Sequence, residues 1–194
     1  DMIKVIPEAV DSKTFHPNPE ANLPEYKDDR FKFIHFGRWD YRKSTKEIIE
    51  AFLEEFGEDE PIDLVLSIDN RFAKDGLKNT EKRLEHYGIS DPRLKVKHFP
   101  SREDYVQYLQ KGHVFLSCAR SEGWNLPLIE AMACGTPSIY SNCSAQLQFA
   151  KGKGLPVKIT GKKPAIMGEY STYSQSDMTG EFYTPDYEDL KIVM

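Results

Sequence analysis

The feature that most restricts the fold is an alternation of strand-like and helix-like hydrophobic periods along the chain. Phe31-Lys32-Phe33-Ile34-His35-Phe36 reads as a strand ending at Gly37. Residues 45–56 then place Ile48, Ile49, Phe52, Leu53 and Phe56 at helical spacing, the apolar face of an amphipathic helix. A strand over 62–68 comes next, then a charged helix over 73–87 closed by Gly88, a strand over 94–99, and a helix through Leu109 opened by Ser101 and Asp104 as a capping box. A strand over 114–116, a helix over 127–133 stopped by Gly135, a strand from Pro137 to Tyr140, a short helix near 144–150 and a strand over 155–159 complete the series. Strand and helix alternate about five times with short connections, which predicts an α/β fold with a parallel sheet and helices on both faces. Ligands of such folds bind at the carboxyl ends of the strands. The loops after Phe36, Phe99 and Leu116 are therefore where chemistry is to be sought.

The flanking segments read differently. Residues 7–30 hold four prolines and no periodicity, which marks loop or linker. Met2–Ile6 reads as a strand with no targeting segment before it. Asp186–Val193 reads as a helix cut short, expected to lack its packing partners. The Tyr-, Ser-, Thr- and Gly-rich stretch 161–184 predicts an irregular segment. At 194 residues, 39% hydrophobic and 29% charged, the chain has the composition of one soluble domain. A net charge of -5 disfavours a nucleic-acid partner, and no apolar run approaches the roughly 20 residues that span a bilayer. The three cysteines, Cys118, Cys134 and Cys143, lack metal-ligand spacing and read as buried free thiols of a reducing cytoplasm.

The strongest chemical signal is Glu122-Gly123-Trp124-Asn125-Leu126-Pro127-Leu128-Ile129-Glu130. Glu122 lies in a strand-to-helix loop, and Glu130 about one turn into the helix that starts near Leu126. Helical side chains lean toward the N-terminus, so Glu130 reaches back over that loop. Backbone N–H groups of Trp124 to Leu126 and the positive helix end suit an anion, and carboxylates suit vicinal hydroxyls. A glutamate in a first helical turn is also favoured by the helix dipole alone, and for Glu130 in isolation that explanation stands beside the ligand reading. The second signal is Gly37-Arg38-Trp39-Asp40-Tyr41-Arg42-Lys43. Gly37 lets backbone pass close to a ligand. Arg38 offers a planar fork for phosphate oxygens and Lys43 a point charge.

Together these strings resemble the E-x7-E signature and the diphosphate-binding Arg/Lys pair of retaining glycosyltransferases of the GT-B fold, the family 4 or group 1 type. The resemblance implies a Rossmann-like domain, one half of a two-domain architecture. Residues 1–20 would be the interdomain crossover, carried by Glu8-Ala9-Val10-Asp11 and Phe15-His16-Pro17. Residues 21–194 would be the C-terminal nucleotide-sugar-binding domain, truncated at its end. It further implies that Glu122 contacts the donor sugar, Glu130 the ribose, and Arg38 and Lys43 the diphosphate. Phe99, in His98-Phe99-Pro100, would lie by the base. Arg42 is an alternative cation, out of register with the family pattern. The usual Glu-Gly-Phe-Gly is replaced by Glu122-Gly123-Trp124-Asn125, where Asn tolerates positive φ, and the usual Pro-Ser by Cys118-Ala119.

The implied parent transfers a sugar from a nucleoside-diphosphate sugar to a carbohydrate, lipid or protein acceptor, without metal or other cofactor. The acceptor site and any membrane contact fall to the missing N-terminal domain. The alternatives are a sugar-nucleotide epimerase of the same architecture and a non-catalytic nucleotide-sugar-binding module.

Overall fold

The computed structural model describes residues 4–21, 29–73, 76–165 and 180–194. Six parallel strands form the central sheet: β1 (Phe31–Phe36), β2 (Ile62–Ser67), β3 (Leu94–Val96), β4 (Val114–Ser117), β5 (Ser138–Ser141) and β6 (Leu155–Val157). Their order is β3-β2-β1-β4-β5-β6. Helices α1 (Thr45–Glu55), α2 (Thr80–His86), α3 (Arg102–Lys111), α4 (Leu126–Ala133) and α5 (Leu147–Ala150) link them. An antiparallel pair, β7 (Ile159–Pro164) and β8 (Glu181–Pro185), precedes α6 (Tyr187–Val193).

The sheet divides the apolar residues into two cores. Phe33, Leu64, Leu66 and Leu116 face α1 through Ile48, Ile49 and Phe52, and α6 through Leu190. Ile34, Phe36, Val65 and Phe115 face α3 and α4 through Leu109, Leu128 and Ala131. Because both faces are covered, the central strands carry near-continuous apolar runs. The helix signals at the ends of α3 and α4 are realised: Ser101 and Asp104 exchange both bonds of a capping box, and Gly135 ends α4 at φ 83°.

Several expectations are corrected. The helix expected over 73–87 spans only Thr80–His86. Asp69 Oδ1 accepts from both the Thr80 N–H and its hydroxyl, and Asn79 caps the new start, so residues 76–79 stay outside the helix, while 74 and 75 lie outside the described residues. The strand over 94–99 ends at Val96, level with Leu66 in β2. Residues 4–6 form no strand, with Val5 79% and Ile6 88% exposed, while Asp1 to Ile3 lie outside the described residues. The stretch 161–184 is not irregular throughout, since its two ends pair as β7 and β8; 166–179 lie outside the described residues. Nor does the last helix lack partners. Leu190 is fully buried against the α1 side of the sheet, Tyr187 donates to Ser44 Oγ at 3.0 Å, and Lys158 Nζ lies 2.5 Å from Asp189 Oδ1. The loop segment before β1 is anchored at Phe15, 2% exposed, and by Gln110 donating to His16 O.

Under the site, His35 joins β1 to β4. Its Nδ1–H donates to Leu116 O at 2.8 Å, and burial lowers its pKa from 6.5 to about 4. A histidine kept neutral in the fold contributes stability that is present above the unfolded value and lost as pH falls from 6.5 toward 4. From this group alone the protein is expected to be about 2 kcal/mol less stable at pH 5 than at pH 8. Urea unfolding at both pH values checks this, with His35→Gln expected to flatten the difference.

Candidate functional site

Beside β1 lies β2, and beside β4 lies β5, so the loops leaving β1 and β4 diverge and open a crevice at the topological switch point. Gly37 leaves β1 at φ 153°, a conformation L side chains rarely adopt, and a Cβ there would face Lys43 Cε at 4.0 Å. Asp40 organises the turn into α1. Its Oδ1 accepts from the Lys43 N–H at 2.8 Å, capping a single 3₁₀ turn over Tyr41–Lys43, and its Oδ2 accepts from Arg38 Nε at 2.9 Å. Buried Ser44 then takes the left-handed conformation, φ 54°, that leads into α1.

That turn sends two cations across the crevice to one carboxylate. Lys43 Nζ is 2.5 Å from Glu122 Oε1, and Arg42 Nη1 is 2.9 Å from Glu122 Oε2. Arg42 Nη1 also donates to Ser121 O at 2.6 Å, and the Arg120 N–H donates to Arg42 O at 2.7 Å, so side chains and backbone bind the loops together. The Glu122 side chain is 7% exposed. Arg38, Arg42 and Lys43 against Asp40 and Glu122 leave a net charge of +1 (three minus two). Arg38 Nε is occupied by Asp40, and the guanidinium lies 5.6 Å from the centre of the Phe72 ring.

Asn125 takes φ 80°, ψ 64° immediately before α4. It is 4% exposed, and its Nδ2 donates to Ser117 Oγ at 2.8 Å and to Gln146 Oε1 at 2.7 Å. Gln146 in turn donates to Ser141 Oγ at 2.9 Å. The amide thus fastens the start of α4 to the ends of β4 and β5. Trp124 packs on Phe149 at 5.4 Å between ring centres, and Leu126 is 45% exposed at the start of the helix.

Glu130 has a different partner. The Tyr105 hydroxyl donates to its Oε2 at 2.6 Å. Burial raises the Glu130 carboxyl above the ordinary glutamate range, and the Tyr105 bond pulls it partly back. Phe99 belongs to an aromatic group with Phe36 (4.9 Å), Tyr108 (5.1 Å) and Tyr105 (5.5 Å). Next to it, His98 Nε2 is 2.9 Å from Glu81 Oε1, a contact that raises the His98 pKa.

The structure therefore brings Lys43 to Glu122 and holds Arg38 apart on Asp40. Arg42, expected to be out of register, joins Lys43 on the same carboxylate. Sequence reasoning misses Asp40 and Tyr105. A cap three residues from Lys43 is the available signal for Asp40, whereas nothing in local spacing links Tyr105 to Glu130. The three thiols are buried, and burial pushes Cys134 up to about 11 and Cys118 higher. Among the described residues no group of three or more His, Cys, Asp or Glu stands ready to hold a metal ion. No helix among them is long and apolar enough to cross a membrane.

Comparison with known proteins adds sequence and structural relatives. The family model for glycosyl transferases group 1 matches residues 20–154. ORF313 of Acidianus filamentous virus 1, provisionally named a glycosyltransferase, is 27% identical over 115 residues, 55% of this chain and 37% of that protein. The match thus spans little more than a third of that relative. The C-terminal domain of LpcC, a glycosyl transferase group 1 family protein of Francisella tularensis, superposes with a TM-score of 0.59 at 20% identity, covering 77% of this chain and 80% of that one. Anabaena Alr3699/HepE, solved in complex with UDP and glucose, gives a TM-score of 0.66 at 19% identity, covering 80% and 43%. At such identities the two structures establish the shared fold.

Proposed function

Since this chain belongs to the glycosyl transferases of group 1 and has the fold of their GT-B C-terminal domains, we propose that it is the donor-binding domain of a retaining glycosyltransferase. Its substrate would be a nucleoside-diphosphate sugar, and its larger context a two-domain enzyme whose other half holds the acceptor. The observation that carries this reading is the convergence of Lys43 and Arg42 on Glu122 where β1 and β4 part.

The roles follow from charge and reach. Arg38, Lys43 and the N-terminus of α4 hold the diphosphate, and the backbone of Gly37 makes room beside it. Lys43 carries three N–H donors, so it can keep Glu122 while also meeting a phosphate oxygen. Glu122 accepts from hydroxyls of the sugar, and Glu130 from the ribose. Phe99 lies by the base, and Trp124, Asn125 and Leu126 shape the loop around the sugar phosphate. When the bond from the anomeric carbon to the diphosphate breaks, its electron pair passes to the phosphate oxygen. Fixed cations and an oriented helix end stabilise that growing charge with little reorganisation. The Anabaena complex makes UDP-sugars the first donors to test.

The two glutamates are expected to separate in binding. Glu122→Gln frees Lys43 and Arg42 from a carboxylate, so free nucleoside diphosphate should bind as well as before or more tightly. The extra affinity contributed by the sugar should fall by about 1.5–3 kcal/mol, the range for a hydrogen bond to a charged group. Glu130→Gln should weaken free and sugar-bearing nucleotide alike. Calorimetry on both variants decides. Equal loss of free-nucleotide affinity in the two would overturn the division of roles.

A further inference from the structure

We propose that Tyr105 is a positioning residue for the nucleotide ribose: it holds one oxygen of Glu130 and so aims the other at the sugar hydroxyls. This rests on the reading of Glu130 as the ribose ligand and extends it to a residue on another helix.

The geometry is specific. Tyr105 lies in the first half of α3 and Glu130 in the middle of α4, 25 positions apart. The phenol meets only Oε2; among the described residues Oε1 accepts no hydrogen bond. The Tyr105 ring cannot easily turn away, because Phe15 (6.2 Å), Phe36 (5.9 Å) and Phe99 (5.5 Å) pack around it. The bond is part-buried, so a phenolic O–H that turned from its acceptor would lose a partner that water replaces only incompletely. The donor is thus fixed by packing, and the flexible partner, Glu130, is fixed by the donor. A carboxylate held in one rotamer before the ligand arrives loses less freedom on binding. Tyr105 also favours the ionised form of Glu130 against the effect of burial, and only that form offers acceptors alone to a ribose diol. The same ring touches Phe99, which joins the ribose contact to the base-side wall.

Tyr105→Phe removes one oxygen and keeps the ring, so the aromatic group should survive; thermal unfolding verifies the fold. The affinity measurements use whichever of UDP, GDP and ADP the wild-type chain binds, beside its 2′-deoxy and 3′-deoxy forms. Tyr105→Phe should weaken the ribonucleotide by about 3- to 10-fold, the span of one hydrogen bond's net contribution. The form lacking the contacted hydroxyl should change by less than about twofold, so discrimination between the two falls. In a Glu130→Gln background, Tyr105→Phe should add almost nothing, because both act through one contact. A merely structural bond between α3 and α4 would lower ribo- and deoxynucleotide affinity equally, which would overturn the proposal. If Glu130→Gln abolishes ribose discrimination while Tyr105→Phe preserves it, the positioning role fails and the ribose reading stands. If Glu130→Gln itself leaves discrimination intact, the ribose reading fails and takes the proposal with it.

Discussion

Residues 1–194 alone, given a nucleoside-diphosphate sugar and a range of acceptors, are expected to bind the donor and transfer almost no sugar. In the proposed architecture the donor lies against one wall of a cleft, and the acceptor is oriented by the opposite wall. Holding two reactants in register accounts for about 7–11 kcal/mol of barrier lowering in well-oriented systems. A domain that positions only the donor forfeits most of that, several orders of magnitude in rate. The measurement is sugar transfer and donor hydrolysis by this chain beside a longer form that carries the acceptor half. Comparable transfer rates would mean that these residues contain a complete active site. Donor binding without transfer in both forms would favour a non-catalytic module.

Lys43→Ala should show the second large effect, and on two observables at once. Lys43 is 12% exposed and paired with a carboxylate that is 7% exposed. Its removal deletes a charge-assisted contact to the diphosphate, which should weaken nucleoside-diphosphate binding by about 1.5–3 kcal/mol. Combined with Arg38→Ala the loss should approach the sum, because Arg38 is anchored separately on Asp40. Lys43→Ala also leaves Glu122 with Arg42 alone, so stability should fall, though by less than the roughly 3–5 kcal/mol of a fully orphaned buried charge. Adding Glu122→Gln should restore much of the stability but leave most of the loss in phosphate affinity, because the Lys43 contact is still missing and only Arg42 is released. Urea unfolding and calorimetry on the two single variants and the double variant separate the effects. Recovery of both together would mean that Lys43 serves the fold and not a ligand.

The sequence made some of this readable for identifiable reasons. Ile48, Ile49 and Phe52 gave α1 away because all three turn to one buried face, and Ser101–Asp104 marked α3 because its capping bonds are local. The start of α2 was not readable, since the group that fixes it, Asp69, lies eleven residues upstream of Thr80. β7 and β8 were hidden because β7 is largely exposed and carries no apolar alternation to separate it from a loop. In the site, the resemblance to the family's signature strings, more than spacing alone, pointed to Lys43, Glu122 and Glu130. Arg42 was legible only as an alternative cation, because its meeting with Lys43 on one carboxylate depends on the 3₁₀ turn capped by Asp40. Asn125 was legible as a residue tolerant of positive φ, but its anchorage on Ser117 and Gln146 is a tertiary contact. Tyr105 belongs with these: its meaning depends on how α3 packs against α4.

The central claim, that the crevice between β1 and β4 is a nucleoside-diphosphate site, is tested most directly by calorimetric titration of the wild-type chain in the presence of EDTA. UDP, GDP, ADP and dTDP are each compared with the corresponding monophosphate. The account predicts that at least one diphosphate binds with one-to-one stoichiometry and without metal. It should bind about tenfold or more tightly than its monophosphate, because the second phosphate meets Lys43 and Arg38. Absence of binding by all four diphosphates, or equal affinity for mono- and diphosphate, would contradict it.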